Sequence, residues 1–473
     1  MNLTEELQKE SDFIPRIIIA ALKGGSGKTI FSVGIVAALK ERGKAVAVYK
    51  KGPDYIDAGW LALAADKPCY NLDNFLIPNH QIKNSFISNS HNADIAIIEG
   101  NRGIFDGLDT DGTTSTAGLA KMLDAPVILC LDCTKTTRTI AAVLYGCLIF
   151  DPNLKIKGVI LNRVGGARHE QIIRKSIEKY CKIPVLGVIP KLKEDVLPER
   201  HMGLVPTQEH KWAEISVQSI LSIVKKYIDI DRIIAIAEDT SKLSIDTAIE
   251  PKTPSIKVSP KPKIGVIRDS AFQFYYQENL DALCSYGADI VFISPLKDSD
   301  ISDDISAFYI GGGFPETHAA YLAANKSFKN KIKLFAEAGM PIYGECGGLM
   351  YLSESIRIDD AIYSMTGVLP IQYSFSKRPA AHGYTIIKVQ EDNPYFKKGM
   401  IIKGHEFHYS KVEKWNGKDS SLVFDMTRGV GLINKKDGAL YKNVLGTYTH
   451  IHSAGNPFWA ECMVKLAVNY SKK

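Results

Sequence analysis

The chain is 473 residues long, too long for one hydrophobic core, so two domains of about 200 residues each are expected. With 45% hydrophobic and 23% charged residues, its composition is that of an ordinary soluble globular protein. The formal net charge of +6 is small at this length and the lysines and arginines are dispersed, which excludes nucleic acid but not an anionic small molecule.

Residues 1–12 are acidic and polar and do not read as a signal peptide. From Arg16 onward, short apolar runs alternate with helix-like stretches. Residues 16–22 read as a strand, 29–42 as an amphipathic helix ended by Gly43, and 45–50 as a second strand. Residues 95–100, 126–132, 157–164 and 184–190 continue the series. Continuous apolar strands separated by helices predict a parallel sheet covered on both faces. Cys130 and Cys133 are two residues apart but end such a strand, and no second pair or histidine cluster accompanies them. Zinc is therefore not expected, and scattered cysteines fit a reducing cytoplasm. The longest apolar run, 140–150, is too short to cross a bilayer, so no membrane is expected.

The alternation stops near Ala237. Residues 239–262, rich in Ser, Thr, Lys and Pro, read as a linker between an N-terminal α/β domain (14–238) and a second α/β domain (263–473). Strands are expected in the second domain at 263–269, 289–294, 307–313 and 341–346, and again at 442–452 near the end.

Residues 22–29, Leu22 followed by KGGSGKT, lie between a strand and a helix, the context that a phosphate-binding loop requires. Gly24, Gly25 and Gly27, with Ser26 among them, let backbone N–H groups turn toward phosphate oxygens at the helix N-terminus. Lys28 is placed to reach the β- and γ-phosphates of ATP, and the Thr29 hydroxyl to ligate Mg²⁺. Asp54 and Glu99 fall at the carboxyl ends of parallel strands, the edge where such sheets bind ligands, and supply the hard oxygens that Mg²⁺ takes. Asp57 and Asp106 are alternates for that role.

In the second domain Cys346 sits in a G-x-C-x-G frame between an apolar strand and a helix-forming stretch. That is a nucleophile elbow with cysteine in place of serine, and the helix N-terminus behind it is expected to favour the thiolate. The N–H of Gly347 is one oxyanion donor, and Gly312 or Gly313, after the strand at 307, is the other. A base is needed. His450 and His452 alternate near the C-terminus, so only one of them can face the site.

The phosphate loop, with Lys23 just before its glycines, is similar to the deviant phosphate-loop group of partitioning ATPases, the nitrogenase iron protein and dethiobiotin synthetase. The segments starting at Lys23, Lys51, Glu99, Leu161, Leu197, Gly311, Gly344, His405 and Gly446, in this order, resemble the cobyrinic acid a,c-diamide synthase family from about Arg16 to the C-terminus. Cobyric acid synthases share the architecture, but residues 52–57 and 198–206 fit the a,c-diamide enzymes better. After Asp57, where family members commonly carry Pro and then His, this chain reads Ala58-Gly59-Trp60.

The resemblance implies a class I glutamine amidotransferase domain behind a phosphate-loop synthetase domain. It also implies ATP- and glutamine-dependent amidation of the a and c acetates of a tetrapyrrole through an acyl phosphate. Cobyrinic acid is the first expectation, and the nickel-sirohydrochlorin on which other members act is the alternative. The same resemblance selects His450 as the base and has Asn162 hydrogen-bond adenine. Cations near the carboxyl edge of the first sheet, Lys51, Arg102, Arg163 and Arg200, are expected to help bind such a polycarboxylate, with Asp57 also at the substrate. A homodimer is compatible with it. Where class I glutaminases usually place a glutamate two residues after the histidine, this chain has His452, which leaves either a Cys–His dyad or an acid borrowed from elsewhere. The reading from another class is a partitioning-type ATPase whose glutaminase-like half is inactive.

Overall fold

The computed structural model describes residues 13–192, 199–200, 203–209, 212–243 and 260–472. The Arg200 side chain and residues 244–259 of the expected linker lie outside the described residues. The chain divides into two compact units, Met1–Glu250 and Pro251–Lys473.

The N-terminal unit runs β1 (Arg16–Ala21), α1 (Lys28–Glu41), β2 (Val46–Lys51), α2 (Ile56–Ala65), β3 (Cys69–Leu72), α3 (Asn79–Ser90) and β4 (Ile95–Glu99). It continues α4 (Thr116–Met122), β5 (Val127–Asp132), α5 (Thr139–Phe150), β6 (Ile156–Val164), α6 (Ala167–Tyr180) and β7 (Val185–Pro190). The short pair β8 (Glu199–Arg200) and β9 (Gly203–Leu204) follows, then α7 (Ala213–Tyr227) and α8 (Ile230–Glu238). Seven strands form one sheet in the order β3-β2-β4-β1-β5-β6-β7, every pairing parallel. The central strands are apolar on both sides because helices cover both faces, so Ile17, Ile18 and Ile19 are all buried. Gly34 lets α1 approach α7 closely, since a Cβ there would lie 2.3 Å from Cγ2 of Val224. In this sheet the carboxyl ends of β1, β2, β4, β5 and β6 share one edge, and the chemistry-bearing loops leave from it.

The C-terminal unit opens with β10 (Lys263–Ile267), β11 (Phe272–Phe274), α9 (Gln277–Ser285), β12 (Asp289–Ile293), β13 (Ile305–Ile310) and β14 (Gly312–Gly313). Next come α10 (Ala319–Ala324), α11 (Lys326–Glu337), β15 (Ile342–Glu345), α12 (Gly347–Leu352), β16 (Ser355–Ile358), β17 (Ala361–Ser364) and β18 (Ile371–Phe375). The unit ends with β19 (Ala381–Val389), β20 (Ile401–His408), β21 (Ser410–Trp415), β22 (Leu422–Arg428), β23 (Lys436–Tyr441), β24 (Val444–Thr447), β25 (His450–Ile451) and α13 (Pro457–Ser471). Ten strands form a mixed sheet in the order β12-β10-β13-β15-β24-β23-β22-β19-β20-β25. Four more form a side sheet, β17-β16-β18-β21.

One expected element differs. The apolar run at 442–452 is two strands, not one: β24 is parallel to β15, while β25 turns to pair with β20, His450 opposite His405. The break has a cause in Asp437. Its buried carboxylate accepts from the Thr447 hydroxyl at 2.7 Å and from the amides of Tyr448 and Thr449 at 3.1 and 3.2 Å. Those amides are thereby taken out of the sheet ladder.

Candidate active sites

The loop after β1 holds its shape through the left-handed region, with Gly25 at φ 69° and Gly27 at φ 96°. A Cβ on Gly24 or Gly25 would meet nothing within 4 Å, so the space above the loop is open. Lys28 is folded back under it, its Nζ donating to the carbonyls of Lys23 at 3.2 Å and Arg102 at 3.0 Å. The Asn162 amide, at the end of β6, donates to the carbonyl of Ser26 at 3.0 Å and pins the loop from the neighbouring strand.

Beside the loop lies a buried knot of charge. Thr29 donates its hydroxyl to Oε1 of Glu99 at 2.7 Å, and Lys50 Nζ lies 2.9 Å from that same oxygen and 2.6 Å from Oδ2 of Asp57. Burial pushes the Glu99 carboxyl up to about 7, against the pull of Lys50 and with the like charge of Asp57 adding to it. Asp57 goes the other way: its burial is outweighed by the contact with Lys50, which holds it below the usual range. Asp54 accepts the Asp57 amide at 2.9 Å and so caps α2, and burial with Asp57 nearby pushes it up to about 6. Among the described residues no group of three or more His, Cys, Asp or Glu is arranged to hold a metal unaided. The donors do suit a Mg²⁺ that arrives with phosphate oxygens. Thr29 Oγ1 and Glu99 are hard ligands, and Oε2 of Glu99 is buried with no hydrogen-bond partner.

In the second unit the chain leaves β15 through Cys346 at φ 49°, ψ −97°, a conformation that a non-glycine residue holds only under constraint. The constraint is visible on both sides: the Cys346 amide donates to Thr447 at 2.8 Å, and Gly348 donates to Gly311 at 3.0 Å. Gly347 has no room for a side chain, since a Cβ would lie 2.9 Å from the amide nitrogen of Gly313. The Gly347 amide is aimed at the sulfur. The expected thiolate is not what this setting favours. Burial pushes the Cys346 thiol up, with the Glu316 charge next in weight, and α12 is only six residues long. The nucleophile thus needs a base to take its proton.

His450 stands at that elbow. It is buried, and a Cβ on Gly312 would lie 2.5 Å from its Cε1 and 3.2 Å from its Nε2. Its ring stacks on His405 with centroids 4.9 Å apart and planes 20° from parallel. His452 faces elsewhere, its Nε2 being 3.5 Å from Oε1 of Glu278 on α9. The segment at 405–408 supports the site from β20. Glu406 accepts from the amides of Val430 at 2.5 Å and Gly431 at 3.0 Å, and the Phe407 carbonyl lies 3.8 Å from the Cys346 sulfur.

Residues 17–205 match the CobQ/CobB/MinD/ParA nucleotide binding domain family, and residues 263–458 match the CobB/CobQ-like glutamine amidotransferase domain family. Along its length the chain is 40% identical over 456 residues to the cobyrinate a,c-diamide synthase of Magnetococcus marinus, covering 96% of this chain and 97% of that one. It is 41% identical to those of Dehalococcoides mccartyi (96% and 99% covered) and Archaeoglobus fulgidus (96% and 98% covered). The chain belongs to the cobyrinate a,c-diamide synthase family. It is therefore a glutamine-dependent amidating ligase with a nucleotide-binding half and a glutaminase half.

Within this synthase the structure brings Lys28, Thr29, Asp57 and Glu99 together and sets Asp54 beside them as a helix cap. Asp106 is spent on its own turn, accepting the Gly103 amide at 2.8 Å. Lys23 extends toward Asp132, 3.8 Å away, and Arg163 pairs with the same carboxylate at 2.9 Å. Arg102 is exposed, at φ 50°. Lys51 is buried instead of lining an open edge, and burial lowers its pKa. Sequence reasoning missed Lys50, Asp132, Glu345, His405 and Asp437. Lys50 carried a signal, since it stands one residue before Lys51 on a strand whose side chains alternate. The others are set by contacts distant in sequence.

Proposed function

We propose that this protein uses ATP and glutamine to amidate the a and c acetate carboxylates of cobyrinic acid. The reading rests most on a strained cysteine elbow backed by a buried histidine, in a chain whose other half builds an open phosphate loop beside a hard-oxygen site. An inactive glutaminase-like half would have no use for a strained nucleophile.

In the glutaminase half Cys346 attacks the glutamine amide, and His450 takes the thiol proton and delivers it to the departing ammonia. The amides of Gly347 and of Gly312 or Gly313 receive the developing oxyanion. In the synthetase half the amides of Gly24, Gly25 and Gly27, with Ser26 between them, cradle the phosphates of ATP. Lys28 leaves its two carbonyl partners to reach the β- and γ-phosphates, and Lys23 adds a second positive charge. Thr29 and Glu99 would hold Mg²⁺, with Asp54 as the further acid near them, and there it would supply neutralisation of charge on the transferred phosphoryl group. Asn162 keeps the loop in place and offers its amide toward adenine. Asp57, Arg102, Arg163 and Arg200 meet the carboxylate-rich ring. The substrate carboxylate takes the γ-phosphoryl group, and ammonia then displaces phosphate, because a free carboxylate is too poor an electrophile for ammonia. The setting is the cytoplasm, where cysteines stay reduced.

The test is incubation with ATP, Mg²⁺ and glutamine beside cobyrinic acid, nickel-sirohydrochlorin and metal-free sirohydrochlorin, with mass spectrometry counting hydroxyl-to-amine exchanges. Two exchanges on cobyrinic acid alone are expected. Two on nickel-sirohydrochlorin instead would transfer the assignment to that ring. No exchange on any ring, with ATP and glutamine hydrolysis intact, would end the tetrapyrrole reading.

A further inference from the structure

The position two residues after His450 is His452, and its ring is committed elsewhere, to Glu278 at 3.5 Å and to the Ala454 amide, which donates to its Nδ1 at 3.2 Å. The acid beside His450 comes from an unexpected place, the residue just before the nucleophile. Glu345 is fully buried at the end of β15, and its Oε2 lies 3.4 Å from Nδ1 of His450. That oxygen also accepts from the Tyr309 hydroxyl at 3.1 Å, while Oε1 accepts the amide of Ile451 at 3.1 Å. One carboxylate therefore lies beside the ring of His450 and holds the backbone of the next residue. The Cε1–Nε2 edge of the ring faces Gly312, in the glycine pair against which the elbow packs. His405 stacks on the ring and is itself held by the Tyr276 hydroxyl, 3.2 Å from its Nδ1.

We propose that Glu345 is the positioning carboxylate of His450, so that the glutaminase site is a Cys346–His450–Glu345 triad in which acid and nucleophile are neighbours in sequence. The inference rests on the reading of Cys346 and His450 above. With Nδ1–H donated to Glu345, the lone pair of His450 lies on Nε2, the nitrogen turned toward the glycine pair, and the imidazolium formed in the reaction has its counter-ion beside it. The step balances. The S–C bond forms and the C–N bond breaks, the thiol proton leaves on ammonia, and water later cleaves the thioester to glutamate. The charged or titratable groups around the ring include Glu345 from β15, with Tyr309 from β13 on its Oε2, and His405 from β20, with Tyr276 and His452 beyond His405.

Glu345→Gln tests this, because glutamine can keep an oxygen for the Ile451 amide while turning a donor toward Nδ1. Glutaminase kcat/KM is expected to fall by about 10²-fold or more, as when a triad carboxylate becomes an amide. The loss should fall on kcat with KM nearly unchanged, and ammonia-dependent synthesis should be unchanged. A glutaminase kcat within about threefold of wild type would reduce Glu345 to a structural clamp. If the variant does not fold, nitrogen-15 shifts of the histidines in the wild-type enzyme decide the matter, since a proton on Nε2 of His450 would overturn the proposal. Full glutaminase activity in Cys346→Ala would instead remove the underlying reading of the site.

Discussion

The two candidate sites are built from opposite materials. At the phosphate loop the work is done by charge, with one buried lysine, Lys50, between two carboxylates and a threonine hydroxyl feeding the same oxygen. At the elbow it is done by backbone shape: a cysteine at positive φ, glycines with no room for a side chain, and a thiol that burial keeps protonated. Charge suits ligands that arrive charged, as the proposed phosphates, metal ion and polycarboxylate do. Shape suits a neutral amide, whose reaction develops charge only in the transition state. The comparison predicts that substitutions at the first site act on every route to product, and those at the second only on the nitrogen source.

The largest effect is expected from Lys28→Ala and Glu99→Gln. Both should cut synthesis by about 10²-fold or more with glutamine or with ammonium, the scale of removing a group that stabilises transition-state charge. Glutamine hydrolysis should persist in both, and normal ammonia-dependent synthesis in Glu99→Gln would take that residue out of the metal assignment.

How legible these sites were follows from the same contrast. The phosphate loop is contiguous, and its glycines are required by its own backbone, so Lys28 and Thr29 could be read from spacing alone. Cys346 was legible for the same reason, because an elbow is a local structure. Lys50 was passed over for Lys51, although strand alternation allows only one of the two to face the carboxylates, and Glu99 and Asp57 decide which. Glu345 was hidden because its role depends on β25 leaving the line of β24. That turn is made by Asp437, which the sequence shows only as one acid among many. The thiolate expectation weighed helix position and could not see the burial, with Glu316, Glu345 and Glu406 nearby, that pushes the thiol the other way.

A smaller effect should follow Gly312→Ala. Its methyl would press on His450 at Cε1, and displacing the base should cost glutaminase about 10-fold to 100-fold while ammonia-dependent synthesis stays normal. Unchanged glutaminase kinetics would mean that the ring has freedom that the packing denies it. The smallest catalytic effect belongs to His452→Ala. The ring is buried against Glu278 and Tyr276, away from the elbow. The expected change is a lower Tm, equivalent to about 2 kcal/mol for a buried side chain, with glutamine hydrolysis nearly intact. A loss as deep as that of His450→Ala would exchange the roles of the two histidines.

The separation of the two sites is tested most directly by Cys346→Ala, assayed for amide formation with glutamine and, in parallel, with a high concentration of ammonium chloride. Loss of the glutamine-supported reaction with the ammonium-supported one largely retained is the predicted result. Equal loss of both would contradict it, making Cys346 a structural residue or the two sites inseparable.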